Sequence, residues 1–160
     1  MASITIRKAI AGDAAEIARL ANRFGALEGE ADDIFSAAIV MRDGFGPKPA
    51  FDVLLAEQDS LAVGYALFDE FYNSEIPGRG IWLSDLFVDP DSRGKGLGKR
   101  LMAAVASEAV ARGCVSLWWG VRNRNAKARA FYETLGVRDD DARILELNGA
   151  ALERVAATAD

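Results

Sequence analysis

Asp89-Pro90-Asp91-Ser92-Arg93-Gly94-Lys95-Gly96-Leu97-Gly98-Lys99-Arg100-Leu101 follows directly on the apolar run Ile81–Val88 and opens a helical pattern that continues to about Arg112. The order is strand, short turn, alternating glycines among basic residues, then helix. Such a construction holds an anion. Glycines let the backbone approach a phosphate closely, and the unpaired N–H groups at a helix start point toward it. Arg93, Lys95 and Lys99 add positive charge. A glycine-rich turn that only caps a helix is the plainer alternative. Three glycines and three cations within seven residues exceed what capping requires.

Two familiar phosphate loops do not fit. A P-loop needs G-x-x-x-x-G-K-[ST], yet Lys99 is followed by Arg100. A dinucleotide loop reads G-x-G-x-x-G near the first strand, with an acidic residue about 20 positions on. Here the glycines alternate as G-x-G-x-G and lie past the midpoint of the chain.

The form that fits is Arg-x-x-Gly-x-Gly at Arg93, Gly96 and Gly98, with a second element at Asn125-Ala126-Lys127-Ala128-Arg129-Ala130-Phe131-Tyr132 and then Gly136. Together they resemble the pyrophosphate loop and the N-x-x-A-x-x-F-Y…G element of the GCN5-related N-acetyltransferases, in that family's order and spacing. More narrowly, Asp43-Gly44-Phe45-Gly46 with Pro49, the strand Trp82–Val88, and Gly136 with Arg143-Ile144-Leu145-Glu146-Leu147 resemble the diamine (spermidine/spermine) acetyltransferase branch.

Composition agrees with such an enzyme and excludes others. The chain has 160 residues, enough for one domain with a real core, and is 51% hydrophobic. No apolar run approaches the roughly 20 residues of a membrane span. Met1-Ala2-Ser3-Ile4-Thr5-Ile6-Arg7-Lys8 has no secretory apolar segment. The single cysteine, Cys114, rules out an internal disulfide and suits a reducing cytoplasm. It opens an apolar run and reads as a small core residue rather than a nucleophile. The net charge of −5 argues against nucleic-acid binding and suits a cationic substrate or simply a solvated acidic surface. With no histidine, Ser-His-Asp and Cys-His mechanisms are excluded, as are histidine metal sites, so no metal is expected. Acid–base work falls to Asp, Glu, Tyr, Lys, Cys114 or water.

The rest of the chain reads as β-α-α-β-β-β-α-β-α-β with a C-terminal helix, an α+β fold with one mixed, largely antiparallel sheet flanked by helices. Strands are expected at Ile4–Lys8, Phe51–Glu57, Leu61–Tyr72, Gly80–Val88, Cys114–Val121 and Ala142–Asn148. Asp13 is a good N-cap for a helix with Ile17 and Leu20 on its buried face, ended by Gly25 and the loop through Gly29. A second helix is expected over about Ala31–Arg42, with Ile34, Ala37, Ala38 and Met41 inward. Further helices follow at Gly96–Arg112, Ala126–Leu135 and Ala150–Ala157. The whole of 1–160 is expected to be one acetyltransferase domain.

The resemblance implies a direct, ternary-complex transfer from acetyl-coenzyme A to a primary amine of a small molecule. It also implies roles for particular residues. The strands at 80–88 and 114–121 splay apart, and backbone groups of Leu86, Phe87 and Val88 pair with the pantetheine arm. Arg93, Gly94, Lys95, Gly96, Leu97, Gly98 and Lys99 hold the pyrophosphate. Asn125 and Tyr132 contact the coenzyme, and Tyr132 is the candidate general acid for the departing thiolate. A Phe131-Tyr132 pair that only packs its helix is the alternative.

The general base is less direct. The branch usually reads Leu-Glu-Asp-Phe/Leu-Phe/Tyr-Val, with the glutamate implicated in deprotonating the amine. Here the strand is Leu83-Ser84-Asp85-Leu86-Phe87-Val88, and serine is no base unaided. Strand alternation turns Asp85 away from that position unless a bulge re-aims it, and a bulge is expected there by resemblance. Two routes stay open: Asp85 or ordered water takes the proton, or the enzyme selects amines already partly neutral at pH 7, the second being favoured from sequence. Glu28, Glu30 and Asp32 can line an amine pocket or simply form a solvated loop. Trp82 and Trp119 can wall the acceptor site or belong to the core. The branch further implies a homodimer paired through the C-terminal strands. A non-catalytic acyl-coenzyme A sensor, and an enzyme acting on a peptide or protein amine, are the competing readings.

Overall fold

The computed structural model describes residues 3–31, 33–139 and 141–159. They cluster as two compact units, Met1–Trp119 and Gly120–Asp160.

The first unit holds a five-stranded sheet in sequential order: β1 (Ile4–Lys8), β2 (Asp52–Gln58), β3 (Leu61–Asn73), β4 (Gly78–Val88) and β5 (Ser116–Trp119). β1 to β4 are antiparallel neighbours, and β5 runs parallel to β4. The β2–β3 hairpin turns at Asp59 and Ser60, both at positive φ (51° and 66°), the conformation that matches the twist of the paired strands.

Three helices cover the sheet: α1 (Ala14–Glu28), α2 (Ala37–Gly44) and α3 (Leu97–Ala111). The apolar stripe Ile17, Leu20 and Ala21 of α1 joins Val40 of α2 in a core with Val53, Leu55, Tyr65, Leu67 and Phe87 of the sheet. On the other face Leu97, Leu101, Val105 and Ala109 of α3 are buried where it packs on β2, β3 and β4.

α1 begins where expected but does not end at Gly25. That glycine is buried inside the helix, and an added Cβ would stand 3.2 Å from a carboxylate oxygen of Glu30. Gly29, at φ 81°, closes the helix instead. Asp13 occupies the N-cap position without capping through its side chain. Its carboxylate accepts from the Ile10 N–H (2.8 Å) and from Arg7 (2.8 and 2.9 Å).

α2 starts six residues later than the periodicity suggests. Both backbone polar groups of Phe35 are held by the Asn22 side chain (2.8 and 2.9 Å), which keeps that stretch out of a helix, and Ser36 Oγ then caps by accepting from Ile39 N–H. Ile34, Ala37, Ala38 and Met41 are exposed; Val40 is the residue that turns inward.

The second unit contains α4 (Ala126–Glu133) and α5 (Gly149–Ala156). The expected strand Ala142–Asn148 is not formed. Its described residues lie outside any ladder, with Ile144 and Leu145 72% and 89% exposed, so no partner strand supplies the hydrogen bonds that define a strand.

Candidate active site

β4 pairs with β5 only from Gly80 to Leu83. From Ser84 to Val88 the edge turned toward β5 has no strand partner among the described residues, which is the splay expected there. A bulge falls at the same point. Leu83 stands opposite Phe68 and Asp85 opposite Leu67, so Ser84 is the extra residue, and it is exposed.

The bulge sets which way each neighbour faces. Phe68 lies under the Arg112 guanidinium at the end of α3, 5.4 Å from carbon to ring centroid, whereas Leu67 belongs to the core under α1. Leu83 therefore turns to the α3 side, and Asp85 and Phe87 turn to the α1 side. There Tyr65 donates its hydroxyl hydrogen to Asp85 Oδ2 at 2.7 Å. Tyr65 is wholly buried, Asp85 half-buried, and Phe24 stacks on Phe87 at 5.3 Å.

Burial pushes the Asp85 carboxyl above the usual carboxylate range, and the Glu30 charge adds to this, while the Tyr65 hydrogen bond opposes it. Burial and the Asp85 charge push the Tyr65 phenol up, so it remains a donor at any working pH.

The same face carries Trp82, in register with Asp69 on β3 and with Trp118 on β5, and the Phe71 and Trp118 rings lie 5.1 Å apart. Trp119 is in register with Leu83 and so turns to the opposite face from Trp82 and Asp85. Glu28 is half-buried at the end of α1 and Glu30 is exposed just beyond it; Asp32 lies outside the described residues. Asp69 was not singled out from sequence. Its half-burial pushes its carboxyl up. In sequence it is one of two adjacent acidic residues, with Glu70, in an aromatic strand, so only strand alternation, which turns Asp69 to the Trp82 face, marks it.

The glycine loop leaves the end of β4 through a short 3-10 turn, Pro90–Ser92, capped by Asp89. Arg23 of α1 anchors that turn through Asp89 at 2.9 Å. Arg93 Nε donates to the Val88 carbonyl at 2.9 Å, and Lys95 Nζ donates to Gln58 at 2.8 Å, so both side chains brace the loop. Gly94 and Gly96 take left-handed φ of 80° and 74°, and Gly96 is the N-cap of α3. A Cβ built on Gly94, Gly96 or Gly98 meets no atom within 4 Å. The loop thus offers open space in front of the unpaired N–H groups of α3, the shape and polarity a pyrophosphate needs.

In the second unit, Asn125 Oδ1 caps α4 by accepting from Ala128 N–H at 3.0 Å. Phe131 and Tyr132 lie with ring centroids 5.2 Å apart on that helix. Tyr132 is half-buried, and burial pushes its phenol above the ordinary value, which keeps it protonated near neutral pH.

The model of the acetyltransferase (GNAT) family matches residues 15–137. The chain is similar to thialysine N-epsilon-acetyltransferase of Sus scrofa, 38% identical over 148 residues, covering 87% of this chain and 86% of that protein. It is also similar to spermidine/spermine N(1)-acetyltransferase-like protein 1 of Homo sapiens, 32% identical over 84% of this chain and 20% of that one. Among solved structures, an integron cassette protein from the mobile metagenome of V. cholerae superimposes with a TM-score of 0.80 at 21% identity, covering 98% of this chain and 99% of the other.

Proposed function

We propose that this chain, which belongs to the acetyltransferase (GNAT) family and so is an acetyl-coenzyme A-dependent N-acetyltransferase, acts on a primary amine of a small, cationic metabolite. When bound, acetyl-coenzyme A supplies the activated acetyl thioester and a thiol leaving group. The residues that would hold it are the bare edge at Leu86, Phe87 and Val88, as a pseudo-strand, and the loop from Arg93 to Lys99, with Asn125 and Tyr132. The open cradle at Gly94, Gly96 and Gly98 fits the pyrophosphate.

The observation that carries the acceptor reading is the half-buried Asp85 carboxylate on the bulged strand. It supports the first of the two routes left open by Ser84: Asp85 receives the ammonium and takes its proton. Tyr132 holds a phenolic proton for the departing thiolate. Ser84, Trp82 and Glu28 border the acceptor, with Asp69 beside Trp82. Trp119, in register with Leu83, faces the other side of the sheet, and no contact with the acceptor is assigned to it.

Proton transfer to a carboxylate is easiest from an amine of lowered pKa. The thialysine-acetylating relatives point the same way, because a sulfur two carbons from the nitrogen withdraws electrons from it. We therefore assign as substrate a small amine of that kind rather than a long polyamine. The family match runs across both compact units, which supports one catalytic domain over 1–160. The apolar run around Ile144, Leu145 and Leu147 supports a homodimer, and the lone half-buried Cys114 supports a cytoplasmic setting. No helix among the described residues is long and apolar enough to cross a membrane.

Thiol release from acetyl-coenzyme A across thialysine, lysine, ornithine, spermidine, aminoglycosides and peptide N-termini tests the assignment. Lower-pKa amines should react fastest, and Ser84→Glu should gain on diamines. Efficient wild-type acetylation of spermidine at neutral pH, with no preference for lower-pKa amines, refutes it.

A further inference from the structure

One contact at the site has a partner that the sequence does not mark. Tyr65 is wholly buried in the core under α1, yet it carries a polar hydroxyl whose hydrogen bond goes to Asp85 Oδ2, 2.7 Å away across the β3–β4 ladder. Oδ1 of the same carboxylate makes no hydrogen bond among the described residues. One oxygen is fixed from inside the protein and the other is uncommitted.

We propose that Tyr65 is a positioning residue of the reaction, holding Asp85 by one oxygen so that the other is presented to the substrate ammonium. The inference rests on the reading of Asp85 as the proton acceptor. The ammonium N–H proton passes to Oδ1, the nitrogen keeps its lone pair for attack, and Tyr65 retains its own proton throughout. Asp85 later returns the proton to solvent.

The surroundings make such a residue necessary. From the turn after α1, Glu30 opposes ionisation of Asp85, and burial opposes it further. Glu28 ends α1, and Asp69 stands next beyond Leu67 on the same face of β3. The arginines of the two helices on this side of the sheet are engaged elsewhere, Arg19 of α1 with Glu16, Arg23 of α1 with Asp89 and Arg42 of α2 with Asp43. The β2, α1 and α2 side chains in the core under this face, Val53, Leu55, Ile17, Leu20, Ala21, Phe24 and Val40, carry no charge. β5 and the rest of β4's bulged end, Ser84 and Leu86–Val88, bring no ionisable group. Among these neighbours the Tyr65 hydroxyl is the donor that favours the carboxylate.

The test is the pH profile of kcat/KM for the best amine found, with wild type, Tyr65→Phe and Asp85→Asn. Losing a hydrogen bond to a charged group should move the acid limb of Tyr65→Phe upward by about one pH unit, hence about tenfold lower kcat/KM below the limb. Coenzyme A affinity should be unchanged. Asp85→Asn should lose the limb altogether. A limb that stays in place in Tyr65→Phe, while Asp85→Asn loses it, makes Tyr65 a packing residue and leaves the base assignment standing. A limb retained in Asp85→Asn overturns the base assignment and this inference with it. Should Tyr65→Phe not fold, 3-fluorotyrosine placed at position 65 alone decides. Its stronger donor should move the limb to lower pH, and an unmoved limb overturns the proposal.

Discussion

The same substitution placed two residues apart in the glycine loop should have opposite effects on stability. Gly96 sits at φ 74° and ψ 8°, where a side chain is strained, while Gly98 lies in the first turn of α3. Beyond the adjoining backbone, neither position has an atom within 4 Å of an added Cβ, so clash with the rest of the protein contributes nothing at either. Gly96→Ala should therefore cost the left-handed penalty, about 1 kcal/mol or somewhat more. Gly98→Ala should gain up to about 1 kcal/mol, the helical advantage of alanine over glycine. In a chain of this size 1 kcal/mol shifts Tm by roughly 2–4 °C, so the variants should differ by about 4–8 °C in a thermal melt. Gly98→Glu should keep its fold yet bind coenzyme A about a hundredfold more weakly by calorimetry, because its carboxylate enters the space assigned to pyrophosphate. Equal melting temperatures for the two alanine variants would refute the left-handed turn. Undiminished coenzyme A affinity in Gly98→Glu would refute the cradle.

Tyr132→Phe should lower turnover by about a hundredfold with coenzyme A affinity nearly intact, measured as thiol release; an unchanged rate makes Tyr132 a packing residue. Asp13→Ala should cost about 1 kcal/mol at neutral pH, because Arg7 holds the Asp13 carboxyl below its usual range. A depressed carboxylate stabilises above its unfolded pKa, near 3.9, so the deficit should shrink as pH falls below about 4, as read by urea denaturation at pH 7 and pH 3. Light scattering should report a particle about twice 17.2 kDa, and a monomer at micromolar concentration refutes the dimer.

Where local chemistry is strong, the sequence was legible. The Arg93–Lys99 loop, the β2–β3 hairpin at Asp59-Ser60 and the Asn125 cap all rest on residues whose neighbours in the chain determine them. The misplacements come from packing and loop contacts that periodicity and composition do not register. Gly25 reads as a stop, but it lies buried inside α1 with the Glu30 side chain beside it, and the left-handed end falls at Gly29. Residues 31–35 carry a helical pattern that the Asn22 amide overrides by holding Phe35 from another helix. Ala142–Asn148 has strand composition but no ladder partner. At the site, the bulge was expected from resemblance, while the Tyr65–Asp85 contact spans 20 residues and carries no local signature. Trp118 and Trp119 are indistinguishable by composition, and only the register with β4 assigns them to opposite faces.

The bulge at Ser84 also separates two demands that a strand normally couples. In a regular ladder every residue is committed to one face, so a change of side chain is a change of packing. Ser84 is surplus to the pairing and projects into solvent, while Leu83 and Asp85 on either side keep their opposite faces whatever occupies position 84. A glutamate, a serine or another polar residue can be exchanged there at little cost to the core. On the proposed reading of the site, a single substitution at position 84 should therefore alter acceptor preference while leaving the fold's stability nearly unchanged.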